Sequence, residues 1–194
     1  MARKTFVIDL DRCFGCRACE VACKQENNVV LGSKWTHVED VGPTGDYPNI
    51  EMYFLPTMCQ QCENPKCVDV CPTGASFINE EGIVLIDKER CIGCRYCMFA
   101  CPYGVRTFNE EQKVVEKCTT CLHLQEIGED PACVKVCPAS ARLFGDLDDP
   151  NSTVSIALKE AGEENVHSLP DVGNKPTARY ILHEKTAKWR ESVK

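Results

Sequence analysis

One twelve-residue stretch limits the folds open to this chain more than any other: Cys91-Ile92-Gly93-Cys94-Arg95-Tyr96-Cys97-Met98-Phe99-Ala100-Cys101-Pro102. Its pattern is C-x2-C-x2-C-x3-C-P. Three thiolates at that spacing wrap a tight loop around one iron–sulfur cubane. The fourth, four residues on at the start of a helix, points to the other side, where it ligates a second cluster. Pro102 stops the helix and leaves no stray N–H behind it.

The pattern recurs. Sixteen cysteines in 194 residues fall into four quartets: Cys13, Cys16, Cys19, Cys23; Cys59, Cys62, Cys67, Cys71; Cys91, Cys94, Cys97, Cys101; and Cys118, Cys121, Cys133, Cys137. Each quartet ends in C-x3-C. Pro72, Pro102 and Pro138 follow three of them, and Lys24 follows the first. The second and fourth have longer loops before the third cysteine. So many cysteines in a short secreted chain would indicate a disulfide scaffold. Clustering into quartets argues against it. So does the start, where Met1-Ala2-Arg3-Lys4 runs straight into the strand Phe6-Val7-Ile8-Asp9, from which no signal peptide is expected. No apolar run reaches bilayer length, so a soluble chain with no membrane span of its own is expected. The formal net charge is −7, and no basic stripe exists; a nucleic-acid partner is therefore not expected.

The flanks repeat as well. An apolar strand leads into each quartet: Phe6-Val7-Ile8-Asp9, Met52-Tyr53-Phe54-Leu55, Ile83-Val84-Leu85-Ile86-Asp87 and Lys113-Val114-Val115. Another strand follows three of them: Ala75-Ser76-Phe77-Ile78, Val105-Arg106-Thr107-Phe108 and Ala141-Arg142-Leu143-Phe144. Asn79-Glu80-Glu81-Gly82 reads as a hairpin turn. Strand–quartet–strand is the unit of a bacterial two-cluster ferredoxin. Quartets two and three form one such unit. The strands after quartet four and before quartet one look like the same hairpin cut open, so quartets one and four form the second unit. The expected fold is α+β: two ferredoxin-like units, one inserted in the other, with short hairpins, short helices and long loops. Residues 1–50 and 105–145 make the first unit, 51–104 the inserted second, and 146–194 a C-terminal extension contacting a partner.

Two segments lie outside the repeat. Residues 29–49 are rich in turn formers (Gly32, Gly42, Pro43, Gly45, Pro48) and read as a loop covering a cluster or meeting a partner. In the extension, Asp148-Asp149-Pro150-Asn151-Ser152 reads as a turn and helix cap, followed by a helix to about Ala161. Ala178-Arg179-Tyr180-Ile181-Leu182 reads as a strand.

Four thiolates suit zinc or iron–sulfur. Zinc sites usually use two separated C-x2-C knuckles, and a cysteine triplet with a distant fourth before proline is poor zinc geometry. Four [4Fe–4S] clusters are expected, and every triplet is complete. A cubane with four thiolate ligands has no open coordination site, so it exchanges one electron and does little else. Lys24, Arg95, Arg106, Lys117 and Lys135 sit beside ligands, where they either raise potentials or are merely solvated. His123 tunes its cluster or is a plain loop histidine; His37, His167 and His183 have no ligand-like neighbours. No phosphate-cradling loop or nucleophile motif stands out, and no catalytic residue is assigned.

Several phrases carry a resemblance: Cys62-Glu63-Asn64-Pro65-Lys66-Cys67, Val70-Cys71-Pro72-Thr73-Gly74-Ala75, Cys101-Pro102-Tyr103-Gly104, Lys117-Cys118-Thr119-Thr120-Cys121 and Phe144-Gly145-Asp146-Leu147-Asp148-Asp149-Pro150. With the order of quartets, they resemble the iron–sulfur subunits of dimethyl sulfoxide reductase family molybdoenzymes. The short form, as in the iron–sulfur component of polysulfide reductase, is the most similar, and the small subunits of transhydroxylase-type enzymes share the Pro102–Val105 region. The resemblance implies a non-catalytic electron-transfer subunit and a large catalytic partner carrying molybdenum or tungsten bis-molybdopterin guanine dinucleotide. It also implies a membrane anchor or soluble donor as the other partner. The implied location is the cytoplasm, or export in folded form with a signal-bearing catalytic partner. Carried over by position, cluster one takes Cys13, Cys16, Cys19 and Cys137; cluster two Cys23, Cys118, Cys121 and Cys133; cluster three Cys59, Cys62, Cys67 and Cys101; and cluster four Cys71, Cys91, Cys94 and Cys97. The alternative is a free-standing polyferredoxin; a zinc-stabilised interaction module is the third reading.

Overall fold

The structure is a computed structural model and describes residues 3–183 and 189. Its strands are β1 Lys4–Asp9, β2 Thr36–Thr44, β3 Glu51–Met58, β4 Ser76–Ile78, β5 Val84–Ile86, β6 Thr107–Asn109, β7 Val114–Glu116, β8 Arg142–Asp146, β9 Val166–His167 and β10 Arg179–Ile181. Its helices are α1 Ala18–Glu26, α2 Lys66–Asp69, α3 Tyr96–Phe99, α4 Leu122–Gln125, α5 Ala132–Lys135 and α6 Thr153–Ala161.

The strands form three two-stranded ribbons and one four-stranded sheet of order β8-β1-β10-β9. The ribbon β4–β5 joins quartets two and three, and β6–β7 joins quartets three and four. The turns are closed from inside. Asn79 Oδ1 accepts from the N–H of Glu81 and Ile83, and Asn109 Oδ1 accepts from Glu111 and Gln112. In the larger sheet β1 runs antiparallel to β8, with Phe6 opposite Phe144, Val7 opposite Leu143 and Ile8 opposite Arg142. The strand before quartet one and the strand after quartet four are therefore hydrogen-bonded neighbours. β10 runs parallel to β1 on its other side, with Ile8 opposite Tyr180, so residues 179–181 of the extension belong to the central sheet.

Residues 29–49 differ from the loop expected of them. Their second half is β2, paired with β3 from Thr36 opposite Met58 to Val41 opposite Tyr53, then shifted in register before Thr44 opposite Glu51. The turn formers Gly42, Pro43, Gly45 and Pro48 crowd the far end of this hairpin. Alternating burial from Thr36 to Val38 carries the strand signal that the turn formers mask.

Phe6, Ile8, Leu10, Tyr53, Leu55, Met58 and Tyr180 pack in one buried cluster that also contains Cys19, Cys23, Cys59, Cys118 and Cys133. Val84, Val115, Cys67 and Cys97 form a second. Val7, Val154 and Ile181 form a third, beneath α6. Ser152 caps α6, its side chain accepting from the Ser155 N–H at 3.3 Å. No helix among the described residues is long and apolar enough to cross a membrane.

Candidate metal centres

The same local geometry is built four times. The third cysteine of each quartet, Cys19, Cys67, Cys97 or Cys133, lies on a helix: α1, α2, α3 or α5. Cys23 lies one turn beyond Cys19 on α1, and Cys71, Cys101 and Cys137 follow just past the ends of α2, α3 and α5, each N–H bonded to the carbonyl three residues back. The residue before the second cysteine is left-handed in every quartet: Gly15 (φ 71°), Gln61 (φ 45°), Gly93 (φ 68°) and Thr120 (φ 58°). Turns of this kind aim successive backbone N–H groups at one anion. Gly15 has a second requirement, since a Cβ there would collide with the Phe54 ring.

All sixteen cysteines are free thiols. Helix α1 packs against α5, and α2 against α3. Thiols from different quartets thereby meet. Cys13 has Cys19 and Cys137 as electrostatic neighbours, and Cys23 has Cys118, Cys133 and Cys121. Cys62 has Cys59, Cys67 and Cys101, and Cys97 has Cys91 and Cys71. A pocket is lined by Cys71, Cys91, Cys94 and Cys97 together with Arg106 and Val115. Among the described residues, no three or more His, Cys, Asp or Glu side chains are gathered tightly enough to hold a single metal ion.

The surroundings of the sulfurs suit an anionic iron–sulfur group. Backbone N–H groups of Ser76, Val115, Thr120 and Ala141 donate to Cys71, Cys91, Cys118 and Cys137 at 3.4, 3.5, 3.4 and 3.3 Å. Asn174 Nδ2 donates to Cys62 Sγ at 3.0 Å, and Asn27 Nδ2 reaches Cys121 Sγ at 3.6 Å. Burial pushes the thiols up: Cys67 to about 11, Cys62 and Cys118 to about 12, with neighbouring thiolates adding to the effect. Cys71 goes the other way. Burial opposes its ionisation, but hydrogen bonds from Ser76, Thr73 and Ala75 hold it below the ordinary thiol value. Thiols this well buried ionise when a metal takes the proton's place.

The five cations singled out in the sequence part company. Arg95 pairs with Glu110 at 3.1 Å and lies over the Phe108 ring at 3.7 Å. Lys135 pairs with Glu129 on the surface. Lys24 ties down the 29–33 turn through the carbonyls of Val29, Val30 and Ser33. Arg106 and Lys117 are buried, 4% and 2% exposed. His123 lies on α4 rather than in the expected loop, and bonds Glu26 at 2.8 Å on the surface.

Two family models, each described as a 4Fe-4S dicluster domain, match this chain, one over residues 50–147 and the other over residues 12–75. A protein of Halobacterium salinarum, named as an iron–sulfur subunit of dimethyl sulfoxide reductase, is 47% identical over 95% of this chain and 80% of its own. The chain belongs to the iron–sulfur subunits of the dimethyl sulfoxide reductase family. The corresponding subunit of sulfite dehydrogenase from Allochromatium vinosum is 42% identical over 96% of this chain and 85% of its own length. That of tetrathionate reductase from Salmonella typhimurium is 40% identical, over 92% and 72%.

Three residues that matter to this iron–sulfur subunit escaped the sequence reading. Arg142, 3% exposed, touches Cys19. It stands five positions after Cys137, as Arg106 stands five after Cys101, and that repeat was there to be read. Asn27 and Asn174 carry no such signal. Asn174 arrives from more than a hundred residues away on a loop that also binds Tyr103.

Proposed function

We propose that this chain relays single electrons through four [4Fe–4S] clusters between an external donor or acceptor and a catalytic partner that carries molybdenum or tungsten on bis-molybdopterin guanine dinucleotide. Bound in this way, a cluster supplies one-electron storage and no open coordination site. The protein's part is to hold each cluster by four thiolates, shield it from water and direct N–H groups at its sulfurs. Cluster one is assigned to Cys13, Cys16, Cys19 and Cys137, cluster two to Cys23, Cys118, Cys121 and Cys133, cluster three to Cys59, Cys62, Cys67 and Cys101, and cluster four to Cys71, Cys91, Cys94 and Cys97.

One observation carries the reading: thiols of different quartets are neighbours, which supports pairing quartet one with four and two with three. The thiol neighbours Cys13–Cys137 and Cys23–Cys118 support the first pair, Cys62–Cys101 and Cys97–Cys71 the second. The packing of α1 on α5 and α2 on α3, and the pairing of β1 with β8, support the same arrangement, one ferredoxin-like unit inserted in the other. A donor, soluble or membrane-anchored, completes the circuit, in the cytoplasm or in a compartment reached by folded export with the catalytic partner.

Replacing Cys137 by Ser tests the pairing. It is expected to perturb the cluster of Cys13, Cys16 and Cys19, and to leave that of Cys118, Cys121 and Cys133 with its ligands. Electron paramagnetic resonance showing damage to the cluster of Cys59, Cys62 and Cys67 would refute it.

A further inference from the structure

Three basic side chains are nearly sealed from solvent: Arg142, Lys117 and Arg106, at 3%, 2% and 4% exposure. An isolated buried charge is costly unless an opposite charge lies beside it. Among the described residues, no ion pair joins any of the three to a carboxylate. Their polar neighbours are sulfur and neutral oxygen. Arg106 Nη2 donates to Cys67 Sγ at 2.8 Å, and the guanidinium also bonds Cys97. Arg142 bonds Cys19, Thr36 Oγ1 at 3.4 Å and Met58 Sδ at 3.3 Å. Lys117 Nζ donates to the carbonyls of Val84 and, at 2.6 Å, Cys118. Arg106 Nη1 and Arg142 Nε are buried with no partner in the chain, so an acceptor from outside the chain has a place beside each.

The positions follow a rule. Arg142 is buried with Cys133, Cys19 and Cys118 as its neighbouring thiols. Cys19 belongs to the set assigned to cluster one, Cys133 and Cys118 to cluster two. Arg106 is likewise buried, bonded to Cys67 and with Cys59 and Cys97 as its other sulfur neighbours. Cys67 and Cys59 are assigned to cluster three, Cys97 to cluster four. Lys117 favours the thiolates of Cys118 and Cys67, from clusters two and three. Each junction along the relay therefore holds one cation: Arg142 between clusters one and two, Lys117 between two and three, Arg106 between three and four.

We propose that Arg142, Lys117 and Arg106 are electrostatic bridges, one to each consecutive pair of clusters, each raising the potential of both neighbours and offsetting their repulsion when both are reduced. The inference rests on the ligand sets proposed above. Each one-electron reduction adds one negative charge to a site screened from water, and the electron arrives from a neighbouring cluster or an external donor that is oxidised by the same amount. Charge near a cluster shifts its potential, and in a medium of low dielectric the interaction reaches across a junction. A cation at the junction acts on both sides, so neighbouring clusters hold electrons together and the chain stores more than one electron between visits of its partners.

Redox titration of the cluster-loaded protein, followed by electron paramagnetic resonance with signals assigned through single Cys→Ser variants, tests the inference. In Arg106→Met the potentials of clusters three and four are expected to fall together while cluster one keeps its own. Arg142→Met is expected to lower clusters one and two, and Lys117→Met clusters two and three. Arg106→Lys is expected to recover both potentials, which a loss of packing alone would not allow. A shift confined to one cluster, or no shift with four clusters intact, overturns the bridge. A shift shared by two clusters other than those named supports the bridge and refutes the ligand assignment instead. Should a methionine variant lose a cluster, Arg106→Gln, which removes the charge and keeps a polar side chain, is expected to show the same paired fall, and unchanged potentials there overturn the bridge.

Discussion

At the scale of single residues, the sulfurs are surrounded by donors. A neutral thiol is a weak acceptor and a thiolate a strong one, so N–H groups aimed at Cys62, Cys71, Cys91, Cys118 and Cys137 mark sulfurs built to carry charge. Asn174 is the clearest side-chain case. Its amide spans Cys62 Sγ and Tyr103 Oη at 3.0 and 2.7 Å, and Tyr103 keeps a second partner in the Pro170 carbonyl at 3.0 Å. Asn174→Leu is therefore expected to leave the fold intact and lower the potential of the cluster held by Cys62. The fall should be about 60 mV, the one-electron equivalent of about 1.4 kcal/mol. A potentiometric titration checks this, and an unchanged potential would show that the bond does not favour the reduced state.

At the scale of elements, short strands gain stability only by position. β1 is central in its sheet, and Phe6, Val7 and Ile8 are fully buried. Ile8→Ala is expected to cost about 2–5 kcal/mol, whereas Ser152→Ala, which removes only the α6 cap, is expected to cost about 1 kcal/mol. Thermal unfolding of the loaded protein under anaerobic conditions ranks the two, and a larger loss for Ser152→Ala would contradict the account. The elements flanking the quartets were legible in the sequence because the repeat sets both their type and their place. The strands at 52–55, 83–87, 113–115 and 178–182 appear as β3, β5, β7 and β10, and the helix ending at Ala161 as α6. The hairpin of β2 was not legible, since Gly42, Pro43 and Gly45 read as loop and its partner strand lay beyond them. Nor was the place of β10 beside β1. A three-residue strand carries no record of its neighbour, and a parallel pairing across more than 170 residues leaves no local trace. Among the site residues, the thiols were readable from spacing. Arg142 was readable only through comparison with Arg106, and Asn27 and Asn174 not at all, because a side-chain donor to sulfur has no fixed offset.

At the scale of the whole molecule, metal and fold are one problem. The main apolar cluster includes Cys19, Cys23, Cys59, Cys118 and Cys133 among its members, and three buried cations lie among the sulfurs. Removing the iron leaves those cations without their counter-charge and the core without its centre. Cluster binding is then folding energy, and circular dichroism of the iron-free chain is expected to show little native structure; a cooperative thermal transition in that form would contradict this. The central claim is that all four quartets are in use. Iron and acid-labile sulfide, measured per chain on anaerobically purified protein, test it most directly. The account predicts about sixteen of each, the content of four cubanes. Iron near twelve, or stoichiometric zinc with little iron, would contradict it.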